Sequence, residues 1–572
     1  MAVTPERTRM RQVQGKPLPL GVTAEKERVN FAVAAEEGKE CKLLLYPSGS
    51  RKPCESYSMA ETVGEVRYLA FEEMDTAEYE YNYEIDGEIT IDPYVKAIAG
   101  KTRWGENKSP EKHEVRGVLD TAPYDWEDDR HPYLPYCDIV AYSLHVRGFT
   151  KDSSLEPKIR GTFEGIIEKI PYLKDLGVNQ LHLMPVYEFE ECGAYRNYWG
   201  YGMAYFFAPK NGYSAVGDGV RSLKDMIKAC HREGMEVVLE MPFSAQVSKQ
   251  YMEECLRYYL MEYHVDGFIL NPGTTPLDAV CQDPILKKTK ILHHRIDFQN
   301  VMRKFLKGDG GMIPEVINWL RHISSEEGIF NYITNQSGFT LLDLVSYNEK
   351  HNEDNGEDNR DGSDYNLSWN GGAEGPSRKK AVVEIRRRQV RNAYFLTLLA
   401  QGTPCILAGD EFGNTQKGNN NVYCQDNPVG WVNWKKYEKE KELHDFVKKL
   451  IQIRKQYKVF CPQRAMQGAD RVGCGIPDVS YHGEEAWMTP SEHSSRQLGV
   501  YYHDEDGTDC FVAYNMHWLE HTFALPLLLK NKKWHLLIST DEENEKCLED
   551  QKLIELPPRT IAVFVGRDQD ED

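Results

Sequence analysis

From residue 137 onward, for about 300 residues, short apolar strands alternate with amphipathic helices, and no other feature restricts the fold of this 572-residue chain as strongly. The strand-like "DIVAYSLHV" (138–146) leads to a helical pattern at Ile166, Ile167, Ile170, Leu173 and Leu176 that stops at Gly177, and the strand "NQLHLMPV" follows. Ser222 with Asp225 resembles a capping box opening a helix through Met226, Ile227 and Cys230, which ends at Gly234 before the strand "EVVLEM". Further on, "AYFLTLLAQG" runs into "TPCILAGDE". Strands joined by helices form a parallel sheet, and this length suits a (β/α)8 TIM barrel better than an open doubly wound sheet. No G-x-G-x-x-G or P-loop string argues for a nucleotide fold.

The flanks read differently. In "EYEYNYEIDGEITI" Tyr79, Tyr81, Tyr83 and Ile85 alternate, Asp86-Gly87 makes a turn, and Ile89 and Ile91 resume the pattern, which is a hairpin of a small sandwich. The Pro- and charge-rich "DTAPYDWEDDRHPYLPY" (120–136) is a joint. After about residue 460, "CFVAYNMHW", "KKWHLLIST" and "RTIAVFVG" return to strands. The expected division is an N-terminal β-sandwich (1–125), a barrel (126–458) and a C-terminal β-sandwich (459–572). The polar stretch 348–375 would pass for disorder in isolation, but so long a loop inside a barrel is more often functional.

Composition excludes more than it selects. A formal charge of −20, with basic residues scattered among acids, argues against nucleic acid or anionic membrane partners. The 33 Tyr and 10 Trp suit carbohydrate stacking, although packing accounts for most buried rings. Thirteen Cys without a C-x-x-C pair read as reduced thiols, including Cys192 and Cys424. No apolar run approaches about 18 residues, and "MAVTPERTRMRQVQGKPLPLG" lacks a signal-like segment, so a soluble cytoplasmic chain is expected. No cofactor is implied. His293 and His294 are adjacent on a strand and so face opposite ways, without matching ligand spacing, which argues against a metal.

Several long strings resemble, in order, the isoamylase and glycogen-debranching branch of the α-amylase family, glycoside hydrolase family 13. "PLGVTAEKERVNFAV" with "KLLLY" is similar to its N-terminal carbohydrate-binding-type sandwich. "YSLHVRGFT", "RGTFEGIIEKIPYLKDLGVNQLHLMPVYEF", "NYWGYGMAYFFAPKNGYS", "SYNEKHNEDNGEDNRDG", "NLSWNGGAEG" and "GNNNVYCQDN" resemble its barrel, and "RTIAVFVG" its C-terminal sandwich. The resemblance implies α-glucans such as glycogen or starch as partners, and a retaining mechanism in which an Asp nucleophile and a Glu acid/base stand about 5 to 5.5 Å apart.

The family's catalytic strings depart at their centres. Its D-G-F-R-F-D reads Asp266-Gly267-Phe268-Ile269-Leu270-Asn271, so the nucleophile position is an amide and the neighbouring Arg is Ile269. Its K-L-I-A-E-P matches Lys290-Ile291-Leu292-His293-His294-Arg295 and puts His294 at the acid position. Its T-A-H-D-G-F-T-L reads Thr334-Asn335-Gln336-Ser337-Gly338-Phe339-Thr340-Leu341, so Gln336 and Ser337 replace His and Asp. In its V-I-L-D-V-V-Y-N-H-T the sugar-contacting His is Ala245 here. The loop after His294 also looks shorter than the family's.

A carboxamide is a far poorer nucleophile than a carboxylate and cannot offset oxocarbenium charge. Losing one member of a catalytic set costs roughly four to six orders of magnitude in rate. Glu240 and Asp266, near the barrel rim, are the obvious replacement carboxylates, but their family equivalents act as supports and the reading for each is a satisfied hydrogen-bonded acid. Tyr198, Trp199 and Tyr201 are glucan-contact candidates with packing as the alternative; Gly202 departs from the acid or amide that often follows. Asn419, Asn420, Asn421 and the 348–375 loop read as cleft-wall architecture. The expectation is a noncatalytic debranching-enzyme homologue that binds α-glucan or partners an active isoamylase-type homologue, as plant isoamylase complexes illustrate. The rival is a working α-1,6-glucosidase or related transferase whose catalytic residues align to other positions or form an unusual set.

Overall fold

The computed structural model describes residues 10–568 apart from 26, 120–122, 194, 324–327 and 530. Before residue 119 the chain forms two antiparallel sheets around a core of Phe31, Leu43, Leu45, Phe71, Tyr81 and Tyr83. The expected hairpin is there: Tyr79–Ile85 pairs with Glu88–Thr90, and Asp86 and Gly87 take positive φ of 52° and 86°, as a two-residue primed turn requires. A second antiparallel assembly follows residue 478, with Trp534, Phe511 and Phe564 at its centre.

Between them lies a parallel sheet of six strands, numbered β1 (Ala141–Leu144), β2 (Gln180–Leu183), β3 (Glu236–Glu240), β4 (Gly267–Ile269), β5 (Lys290–Leu292) and β6 (Cys405–Leu407). Their order is β5-β4-β3-β2-β1-β6. An extended segment closes the ring: Ile329 bridges His293 on one side, and Asn331 bridges Pro404 on the other, both in parallel sense. The interior holds Ile139, Ala141, Val238, Ile269, Leu292, Phe330, Tyr332 and Cys405. This is a filled TIM-barrel core, with no pore.

Two local expectations change. The helix expected over 166–176 is two helices, Phe163–Ile167 and Ile170–Leu176, because Pro171 at the start of the second has no N–H to continue the first. Gly177 ends the second at φ 102°, a left-handed cap that favours glycine. The helix expected to open at Ser222 begins at Gly219 and is capped by Asp218, whose carboxylate accepts from the Arg221 amide at 3.0 Å. Ser222 lies inside the helix and donates to Glu164 at 2.6 Å.

The 348–375 stretch is folded by amides. Asn352 donates to Asn420 at 2.9 Å, Asn420 to Asn366 at 2.8 Å, Asn419 to Asn355 at 2.8 Å and Asn421 to Asp361 at 2.9 Å. Buried amides satisfying one another hold this loop, which its polar sequence alone could not reveal.

Candidate active site

Ligand-facing groups in a TIM barrel gather where the strands end, and four side chains meet there. Glu240 is the last residue of β3, His294 follows β5 by two, Gln336 follows the closing segment, and Tyr201 comes from the loop before the strand Ala204–Pro209. Tyr201 donates its hydroxyl to Glu240 Oε1 at 2.8 Å, while Gln336 Nε2 stands 3.3 Å from both Glu240 Oε2 and the Tyr201 oxygen. His294 Nε2 is 4.0 Å from Glu240 Oε1, and neither ring nitrogen has a hydrogen-bond partner among the described residues. The imidazole instead packs edge-on against Phe330 and Tyr332.

Burial sets the charge states. It pushes the Glu240 carboxyl up to about 7, with only the Tyr201 hydrogen bond opposing it. It pushes His294 down to about 4, aided by the neighbouring His293, so this ring is neutral near pH 7. The cluster is thus one half-protonated acid, one neutral imidazole, one amide and one phenol. A retaining glycosidase needs a second carboxyl about 5 Å away to attack the sugar, and none of these three neighbours of Glu240 supplies it.

Among the degenerate positions, His294 and Gln336 come together at Glu240, and Ile269 is packed inside the barrel with Leu292 and Phe330. Asn271, Ser337 and Ala245 are exposed. Asn271 forms a turn in which its Oδ1 accepts from the Gly273 amide at 2.9 Å and its carbonyl accepts from Thr275 at 2.9 Å.

Asp266 is the satisfied hydrogen-bonded acid that was expected, but it does not share the rim with Glu240. Asp266 precedes β4 and so sits at the opposite end of the barrel from Glu240. There it lies 3.0 Å from both His131 Nδ1 and His231 Nε2, and it accepts from the Val237 amide at 2.7 Å. Burial raises its carboxyl, but these hydrogen bonds and the His231 charge outweigh that and hold it below the usual range. His131, His231 and Asp266 form a cluster with metal-capable spacing among the described residues, yet the donors already satisfy one another. His294 is not part of it.

The aromatic wall is reordered as well. Tyr198 is only 1% exposed: its ring packs on His145 at 4.1 Å and its hydroxyl donates to the Gly430 carbonyl. Trp199 is likewise buried, so neither offers a free stacking face. The cavity they share with Gln336 and Met184 measures about 50 Å³. That is room for a few waters; about 150 Å³ is what a benzene ring occupies in an engineered protein cavity. Tyr201 stays half-buried and continues outward through Trp199 to Tyr423 and then to Tyr195, which is 54% exposed. Tyr195 and Tyr423 were missed as candidates, although both sit within or beside the strings that carry the family resemblance. Cys192 accepts from Arg196 at 3.0 Å and Cys424 has its thiol pushed up by burial, as ordinary thiols do.

A closed parallel barrel with an aromatic wall at its C-terminal mouth, set between two antiparallel β assemblies, defines an α-amylase-type protein. A family model described as "Alpha amylase, catalytic domain" matches residues 143–244. The chain belongs to the isoamylase and glycogen-debranching branch of that family. It is 30% identical to a glycogen operon protein GlgX homolog of Haemophilus influenzae, over 77% of this chain and 84% of that one. It is 28% identical to the chloroplastic isoamylase 1 of Oryza sativa subsp. japonica, over 98% and 87%. In fold it is similar to the catalytic module of the glycogen-degrading pneumococcal virulence factor SpuA, with a TM-score of 0.74 at 17% identity over 97% of this chain and 98% of that one. Among the described residues, no helix is long and apolar enough to cross a membrane.

Proposed function

We propose that this chain is a noncatalytic debranching-enzyme homologue that acts in the cytoplasm, binds α-glucan through its outer aromatic wall, and serves an active isoamylase-type enzyme as a regulatory or scaffolding partner. The observation that carries this reading is the composition of the cleft centre, where Glu240 faces a neutral His294 and the amide of Gln336 instead of a second carboxyl. An acid without a nucleophile supplies half a mechanism. Glucan contact falls to the exposed Tyr195 and the adjoining Tyr423, because stacking requires a free ring face. We assign residues 1–125 and 459–572 to the flanking sandwiches and 126–458 to the barrel.

The test is reducing-end release from glycogen or amylopectin by the purified protein, which is expected to match a buffer blank. Turnover above the blank would establish the rival reading, an α-1,6-glucosidase with an unusual acid at Glu240. Separately, amylopectin in a native gel is expected to retard the protein, and unchanged mobility would remove glucan binding from the proposal.

A further inference from the structure

The C-terminal β assembly holds a cluster that the glucan reading leaves unused. Cys474 Sγ lies 3.5 Å from His503 Nε2, and His503 Nδ1 lies 2.7 Å from Asp509 Oδ1. Asp509 is buried and accepts further from the Tyr501 hydroxyl at 2.6 Å and from Lys532 at 2.9 Å. A carboxylate only accepts, so the His503 nitrogen facing Asp509 carries the proton and the other presents its lone pair to the thiol. Cys474 is partly exposed, and His503 also lines a groove of about 500 Å³ with Val472, Ile476 and Arg471. A thiol, an imidazole and an orienting carboxylate in this sequence form an activated-nucleophile arrangement.

The surroundings select the electrophile. Asp470 accepts the amides of Gly473 at 2.8 Å, Cys474 at 3.2 Å and Gly475 at 2.7 Å. The donors that would otherwise cradle an acyl oxyanion are therefore taken, and acyl transfer lacks its electrostatic stabilisation. The Asp470 carboxylate also stands 3.9 Å from the sulfur, which disfavours anionic reagents. A small neutral oxidant needs no oxyanion hole.

We propose that Cys474 is a peroxide-reactive modification site, with His503 taking the thiol proton and Asp509 orienting the imidazole. The sulfur attacks one peroxide oxygen, the S–O bond forms as the O–O bond breaks, and the proton held by His503 passes to the departing oxygen. Sulfur is oxidised by two electrons to the sulfenic acid, and the peroxide is reduced to water or an alcohol.

The experiment incubates the reduced full-length chain with hydrogen peroxide and dimedone and quantifies adducts on each cysteine peptide by mass spectrometry. Cys474 is expected to be trapped at least about tenfold faster than the more exposed Cys281 and Cys547. His503→Gln is expected to bring Cys474 down to their rate without changing theirs. Equal trapping of Cys474 and Cys547 in the unmodified chain overturns the proposal, as does full Cys474 reactivity in a His503→Gln protein that melts like the parent. If that variant does not fold, the ratio in the unmodified chain decides the matter alone.

Discussion

Replacing Glu240 by glutamine tests the charge state of the cleft directly. Burial lifts this carboxyl from 4.5 to about 7, so the folded protein holds the proton more tightly than the unfolded chain does. A raised acid of this kind gives stability that is complete below about pH 4.5 and lost as pH rises through about 7. Each pKa unit is worth about 1.4 kcal/mol, so ionising the buried group costs about 3 kcal/mol once the pH exceeds both values. Glu240→Gln keeps an acceptor for the Tyr201 hydroxyl and removes the titration. Its new amide faces Gln336, whose own Oε1 lacks a partner among the described residues and can accept once that side chain rotates. The assay is urea unfolding followed by tryptophan fluorescence at intervals from about pH 4.5 to about 8.5, taking the variant-minus-parent difference at each pH so that other groups cancel. That difference is expected to move in the variant's favour by about 3 kcal/mol across the range. A flat difference would refute the reasoning, because Glu240 would then be an ordinary ionised carboxylate and the cleft would carry a permanent charge.

Other substitutions probe the remaining parts of the argument. The triple reversion Asn271→Asp, His294→Glu and Ser337→Asp is expected to leave reducing-end release at the blank, since positions 271 and 337 face solvent and Ile269 still packs where the family has Arg. At Gly362 a Cβ would come within 2.3 Å of Asn420 Oδ1 at a φ of 71°, so Gly362→Ala is expected to cost roughly 2 to 4 kcal/mol and to expose the 348–375 loop to limited proteolysis. Tyr195→Ala is expected to weaken retardation by amylopectin about tenfold on native gels, a loss of one stacking ring, while leaving the melting temperature within about a degree. Asp266→Asn removes the charge facing His131 and His231 and is expected to cost roughly 3 to 5 kcal/mol near pH 7. Because the folded carboxyl titrates below its unfolded value of 3.8, that cost is present above the unfolded value and fades as pH falls through the folded one, which a pH series of thermal melts would display.

The cleft was legible only in part. Ile269, His294 and Gln336 were visible in the sequence because each interrupts a string whose neighbours are intact, and all three occupy the barrel interior or its mouth. Asn271, Ser337 and Ala245 are marked by the same logic and are exposed, and position in a string carries no information about which way a turn aims its residues. Asp266 looked like a rim carboxylate because it is five residues from Asn271; a three-residue strand between them places the two at opposite ends of the barrel. Tyr198 and Trp199 read as glucan contacts or as packing, and both are buried, whereas Tyr195 and Tyr423, which close the outer wall, were passed over.

What the sequence determined by itself was the periodic part: alternating strands and helices with glycine stops, a hairpin punctuated by Asp86-Gly87, and two flanks of period two. Those patterns act over a few residues, through backbone sterics and one-sided burial, so they survive without knowledge of distant contacts. Tertiary structure alone decided the rest. The proton on Glu240 is held by burial, the folded 348–375 loop by asparagines from residues 419–421, and the contact of His503 with Asp509 by antiparallel pairing of strands. Each depends on groups brought together from separate parts of the chain, and a linear pattern does not encode which buried neighbour a polar group will meet.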